Sequence, residues 1–174
     1  MDEYKESLDP WGYENNPADK LRLQQIMGYL PDDYRGKSFL DIGCGEGFVS
    51  LAIKSVELTG VDTSATAVAS FNNRARLQKM DGTHRAHQGS ILQDLTQFGE
   101  FDFVLVTGVL YPHYIGKSQN FINRNISKVL KPGGYLISVH ISEMNPIQTF
   151  FTEIDSWSYR YREYTHELTV QRKI

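Results

Sequence analysis

Asp41-Ile42-Gly43-Cys44-Gly45-Glu46-Gly47 follows directly on the apolar pair Phe39-Leu40, so an acidic residue stands two positions before a Gly-x-Gly-x-Gly turn. That order reads as a strand running into a nucleotide-binding loop. The glycines let the backbone turn tightly and admit a ligand close to the main chain. A helix starting near Phe48 would then present unpaired N–H groups at its N-terminus. A second apolar segment ends at Val61-Asp62, where an acidic side chain can grip ribose hydroxyls. A third, Phe101 to Val106, ends at Thr107-Gly108.

Outward from this turn, apolar runs alternate with helical stretches, the pattern of an α/β fold with a mostly parallel sheet covered on both faces. Strands are expected at about residues 37–42, 57–61, 84–88, 102–107, 134–140, 157–164 and 167–173. Helices are expected near 17–29, 46–54, 64–78, 117–130 and 146–151. Only Thr165-His166 separates the last two expected strands, too short for a parallel crossover, so they form an antiparallel hairpin. Such sheets bind ligands at the carboxyl ends of their strands, near the switch in strand order.

The 174 residues and 40% apolar content suit one domain with one substantial core. A single cysteine, Cys44, excludes an intramolecular disulfide framework and suits a reducing compartment. A small residue is what the turn tolerates, and no His and acid arrangement can be assigned to this thiol as a nucleophile. No segment reaches the apolar length of a membrane span, and Met1-Asp2-Glu3-Tyr4-Lys5-Glu6 is too polar for a signal peptide, so a cytoplasmic location is expected. A net charge of −3 without a basic block argues against a nucleic-acid partner. Arg74, Arg76 and Lys79 read as a solvated helix face. His84 and His87 sit on one expected strand and point to opposite faces, so no metal site is expected.

A dinucleotide fingerprint reads Gly-x-Gly-x-x-Gly, and here the third glycine comes one residue early. With Asp62 ending the second strand and Leu130-Lys131-Pro132-Gly133-Gly134-Tyr135-Leu136-Ile137 entering the fifth, the chain resembles the class I S-adenosylmethionine-dependent methyltransferases over nearly its whole length. The resemblance implies a single-domain Rossmann-like methyltransferase fold, a seven-stranded, mostly parallel sheet with a C-terminal antiparallel hairpin. Residues 1–30 would form an N-terminal lid and helix segment, and 31–174 the core.

That family takes S-adenosyl-L-methionine as cofactor. Asp41, Gly43, Gly45 and Gly47 are expected around its methionine and ribose parts, and Asp62 on both ribose hydroxyls. Asp62 could instead cap a helix, although Thr63 and Ser64 can serve there. Ser90 is the candidate for the adenine amino group and Ile91 for packing on the ring, with Ser90 also able to cap a short helix. Thr107 opens the segment Thr107-Gly108-Val109-Leu110-Tyr111, which is expected to pass beneath the methionine portion. This segment lacks the Asx-Pro-Pro-aromatic motif of nucleobase amine methyltransferases, and it lacks the carboxylates of the metal-dependent catechol type.

Asp9-Pro10-Trp11-Gly12-Tyr13, Asn16-Pro17, Val109-Leu110-Tyr111 and Val139-His140 look like the nodulation-type N-methyltransferases, which methylate the free amine of a glucosamine unit. The likeness implies a small-molecule acceptor, an amine on a sugar. Trp11 and Tyr13 become either lid residues over the cofactor or a hydrophobic cluster holding the first helix. Arg22 either meets the methionine carboxylate or lies exposed. Trp157-Ser158-Tyr159-Arg160-Tyr161-Arg162-Glu163-Tyr164 has the period of a half-buried strand. His140, at the end of the fifth strand, is the candidate base, with Tyr111, His113 and Tyr114 orienting the acceptor; His140 could equally be a core group. An O-methyltransferase, an NAD(P)-dependent oxidoreductase and a non-catalytic scaffold are the alternatives, and the oligomeric state is left open.

Overall fold

The computed structural model describes residues 12–13, 15–142 and 150–174. Its seven strands are β1 (Ser38–Ile42), β2 (Glu57–Asp62), β3 (His84–Gln88), β4 (Phe101–Leu110), β5 (Leu130–Ile141), β6 (Phe151–Tyr161) and β7 (Tyr164–Lys173). They form one sheet in the order β3-β2-β1-β4-β5-β7-β6. The first five pair in parallel, whereas β7 runs antiparallel to both β5 and β6. The strand order reverses between β1 and β4, and that is where the glycine turn leaves the sheet.

Both faces of the central strands are apolar because both are covered. Successive side chains of a strand point to opposite faces. Phe39, Phe103, Leu105, Ile137 and Val139 therefore pack with Ile26 and Phe71 on one side. Leu40, Ile42, Val104, Val106 and Leu136 pack with Ile122 and Ile126 on the other. The covering helices are α1 (Pro17–Tyr29), α2 (Ala65–Leu77), the short α3 (Pro112–Ile115) and α4 (Gln119–Val129). Asn16 begins α1 by accepting from the Ala18 N–H at 2.9 Å, with Pro17 in the first helical turn, where a missing N–H costs nothing. Ser64 begins α2 by accepting from the Ala67 N–H at 3.1 Å.

Three expectations need correction. The helix expected over 46–54 is only a 3₁₀ turn at Ser50–Ala52. Residues 48–56 must both leave the glycine turn and start β2 at Glu57, a span shorter than the roughly dozen residues a helical crossover takes. The final hairpin turns at Arg162-Glu163 and not at Thr165-His166, with Tyr161 facing Tyr164 across the loop and Arg162 in the left-handed region (φ 53°). This moves His166 from a loop into β7. Phe151 begins β6, so no helix ends there; residues 146–149 of the expected helix lie outside the described residues.

Candidate functional site

At the carboxyl ends of β1, β2 and β4 lies a cavity of about 660 Å³. The glycine turn forms its floor. Gly43 and Cys44 donate their N–H groups to the Val61 carbonyl at 2.7 and 3.2 Å, which holds the turn over the end of β2. Gly43 has φ 77°, and a Cβ there would lie 2.1 Å from Cγ2 of Val109, so the backbone meets the segment after β4 with no room for a side chain. Gly47 plays another part: it does not border the cavity, and an added Cβ would strike Leu51 at 2.7 Å and Phe71 at 3.0 Å. It is small so that the turn can pack onto the core.

Two carboxylates flank this floor in unlike environments. Asp62 accepts from the Gly45 N–H and the Ser64 N–H, both at 2.9 Å. It thereby braces the glycine turn against the start of α2, while Ser64 is the residue that caps that helix. Asp41 is fully buried; the Ser50 hydroxyl donates to its Oδ2, and its Oδ1 has no hydrogen-bond partner among the described residues. Burial, with a smaller contribution from the Asp62 charge, pushes the Asp41 carboxyl up to about 6. Burial likewise pushes the Cys44 thiol well up, so it stays a protonated packing group.

Asp41, Gly43, Gly45, Asp62, Ser90, Ile91, Thr107 and Tyr111 all border the cavity. The Ser90 hydroxyl accepts from the Leu92 N–H at 3.2 Å, shaping a turn. Trp11 lies outside the described residues. Tyr13, its companion in the lid reading, borders the cavity and stacks on Phe48 with ring centroids 5.5 Å apart.

Arg22 is not an exposed helix arginine. It is 4% exposed, pairs with Asp19 at 3.0 Å, donates to the Thr107 carbonyl at 2.8 Å and lies over the Tyr13 ring. Asp19 in turn accepts from the Tyr161 hydroxyl at 3.0 Å. Helix α1 is thus bound to the ends of β4 and β6 by a buried polar network.

His140 is corrected as well. Its strand position pairs it with Leu110 and Glu167, it is 3% exposed, and it does not border the cavity. Its Nε2 is 3.7 Å from Glu167, and burial holds the ring below the ordinary histidine range, in the neutral form. His166 and His113 border the cavity instead, and His166 is the buried one, 1% exposed. It lies among Tyr111, Tyr159 and Tyr161, stacked on Tyr161 at 4.5 Å. His113, Tyr114 and Tyr164 complete an aromatic wall toward the mouth, where Arg162 and Glu163 bring charge. The three-residue shift of the hairpin hid His166. One available signal was the alternation of Trp157, Tyr159 and Tyr161, which a strand places on one face. Among the described residues no group of three or more His, Cys, Asp or Glu side chains could hold a metal, and no helix is long and apolar enough to cross a membrane.

Residues 33–172 match a methyltransferase domain family. The chain belongs to that family. It is a methyltransferase domain of the class I, S-adenosylmethionine-dependent kind, and it has the Rossmann-like fold of that class. Among curated proteins it is 29% identical over 130 residues to a ubiquinone biosynthesis O-methyltransferase of Coxiella burnetii, covering 70% of this chain and 53% of the relative. It is 29% identical over 136 residues to nodulation protein S of Rhizobium tropici, covering 74% and 53%. The chain spans about half the length of these curated relatives. The N-methyltransferase NodS of Bradyrhizobium japonicum WM9, solved with S-adenosyl-L-homocysteine, superimposes with a TM-score of 0.81 at 21% identity, covering 97% of this chain and 95% of that one. That likeness is one of fold.

Proposed function

We propose that this domain transfers a methyl group from S-adenosylmethionine to a small-molecule amine, an amine on a sugar. The observation that carries the reading is a single continuous cavity with a carboxylate-flanked glycine turn at one end and an aromatic wall at the other. The cofactor supplies a methyl already activated on a sulfonium, so the chain's task is to bind, align and exclude water. Asp41 Oδ1, which has no hydrogen-bond partner among the described residues, suits a cationic group of that cofactor, since an added positive charge would offset the burial of the carboxylate. Asp62 suits ribose hydroxyls and Ile91 an adenine face, with Gly43 and Gly45 giving close backbone approach. Gly47 supports the turn from behind. Tyr13, stacked on Phe48 at the cavity, serves in this reading as a lid residue over the cofactor.

The tyrosine-rich wall favours an acceptor with an apolar or sugar face and a cationic amine, because aromatic faces attract ammonium groups. The sequence likeness to nodulation protein S supports the same class. An O-methyl acceptor is the second reading, supported by the equal identity to the ubiquinone enzyme. A reducing compartment, the cytoplasm, suits the free buried Cys44. Calorimetry with S-adenosylhomocysteine and NAD tests the cofactor, and turnover on matched amine, hydroxyl and carboxylate acceptors tests the rest. At ligand about a hundred times its dissociation constant, S-adenosylhomocysteine should add roughly 2.7 kcal/mol of stability and NAD none. No stabilisation by S-adenosylhomocysteine would remove the reading.

A further inference from the structure

Both nitrogens of the His166 imidazole meet phenols. The Tyr111 hydroxyl lies 3.2 Å from Nε2 and the Tyr159 hydroxyl 3.3 Å from Nδ1. A neutral imidazole carries one N–H, so one phenol must donate to the ring while the other accepts from it. Tyr111 and His166 border the cavity and Tyr159 does not, which gives the chain of hydroxyl, imidazole and hydroxyl a direction from the cavity into the interior. Tyr161 stacks on the same ring from β6. From α1, Asp19 and Arg22 act electrostatically on Tyr111 and Tyr159, but they are paired with each other, so their charges largely offset. Burial pushes the Tyr111 hydroxyl up to about 12 and Tyr159 higher. Neither phenol ionises near neutral pH, which leaves the imidazole as the member of the trio able to take a proton.

We propose that Tyr111 is the catalytic residue that removes the proton of an ammonium acceptor, with His166 acting through it as the group that holds that proton. This rests on the amine reading above. An N–H bond of the acceptor breaks and its proton bonds to the Tyr111 oxygen. The original Tyr111 O–H bond breaks in turn, and that proton bonds to His166 Nε2. Nδ1–H donates throughout to the Tyr159 oxygen. The acceptor loses one positive charge, the imidazole gains it, and the tyrosine ends neutral. The freed nitrogen lone pair is then the nucleophile, and the stored proton returns by way of Tyr111 once the product has left.

His166→Gln keeps an acceptor and a donor near the ring positions but removes the basic site, and Tyr111→Phe removes the hydroxyl that faces the acceptor. Single-turnover rates with S-adenosylmethionine and glucosamine as the probe amine should fall roughly 10²-fold in both variants below the amine's own pKa. The deficit should close above that pKa, where solvent has already removed the proton, and S-adenosylhomocysteine affinity should stay nearly unchanged. A deficit independent of pH, or a parallel loss of S-adenosylhomocysteine affinity, would overturn the proposal while leaving the amine reading standing. Wild-type turnover of hydroxyl acceptors and of no amine would overturn both. Nitrogen NMR of the histidine rings with S-adenosylhomocysteine bound needs no turnover: Tyr111→Phe should move the Nε2 resonance of His166, and an unmoved resonance would overturn the proposal.

Discussion

Asp62, the last residue of β2, accepts a hydrogen bond from the Gly45 amide at 2.9 Å, so the end of the second strand fixes the shape of the turn that follows the first. The same carboxylate holds the Ser64 amide at 2.9 Å. One side chain thus positions both the floor of the cavity and the start of α2.

Asp62→Ala should weaken S-adenosylhomocysteine binding about ten- to a hundredfold, through loss of charge-assisted hydrogen bonds and of the brace on Gly45. At 1.4 kcal/mol per decade this is about 1.4 to 2.8 kcal/mol, measurable by calorimetry. Asp62→Asn, which keeps one acceptor oxygen, should lose less. Unchanged affinity in folded Asp62→Ala would make this residue a structural brace only.

Asp41 sets a pH dependence. Its folded-state value, about 6, is raised above its unfolded value, near 3.8. Stability from this group is therefore fully present below the unfolded value and is lost as pH rises through about 6. Two units correspond to roughly 3 kcal/mol. Denaturant titrations of the ligand-free protein between these pH values should show that loss, and Asp41→Asn should flatten it. S-adenosylhomocysteine affinity should rise with pH over the same window in the wild type and not in Asp41→Asn.

Gly43→Ala should destabilise the protein and close the cavity floor, since its Cβ would be placed 2.1 Å from Cγ2 of Val109 in a left-handed conformation. Val109→Ala alone should be mild. The double variant removes the Cγ2 contact and should recover all but the backbone strain, of order 1–3 kcal/mol. Additive effects in this cycle would show that the two residues do not meet.

Arg22→Ala leaves the buried Asp19 carboxylate without its cation, so a loss of about 3–5 kcal/mol is expected from thermal or denaturant unfolding. Arg22→Met combined with Asp19→Leu should recover most of it, because an apolar pair needs no charge compensation.

The sheet was legible because its signals are local: the apolar runs of β1, β2 and β4, the Asn16-Pro17 start of α1, and glycines where the backbone takes positive φ. Asp41, Gly43 and Gly45 belong to one motif and Asp62 ends the next strand, so local signals also brought these four residues together at the cavity. The other end depends on register. His140 was expected at the cavity from its place at the end of a strand, yet the side chain faces Glu167 within the sheet. The turn was expected at Thr165-His166, but His166 pairs with Ile141 of β5 and Tyr159 of β6, which sets it inside β7. Arg22 was left open between a ligand contact and an exposed position, because nothing local tells that the residues it and Asp19 bond lie on strands 85 and 142 positions away.

The bond between Asp19 and Tyr161 joins two residues 142 positions apart. During synthesis the glycine turn, Asp62 and Thr107 are all present once residues as far as β4 have emerged, but Tyr161 and His166 follow only with β6 and β7. Contacts that close so long a stretch of chain form slowly. The glycine-turn half of the cavity can accordingly take shape before the opposite half is complete, and a nascent chain that already carries the whole glycine motif still lacks the Tyr161 and His166 side of its aromatic wall.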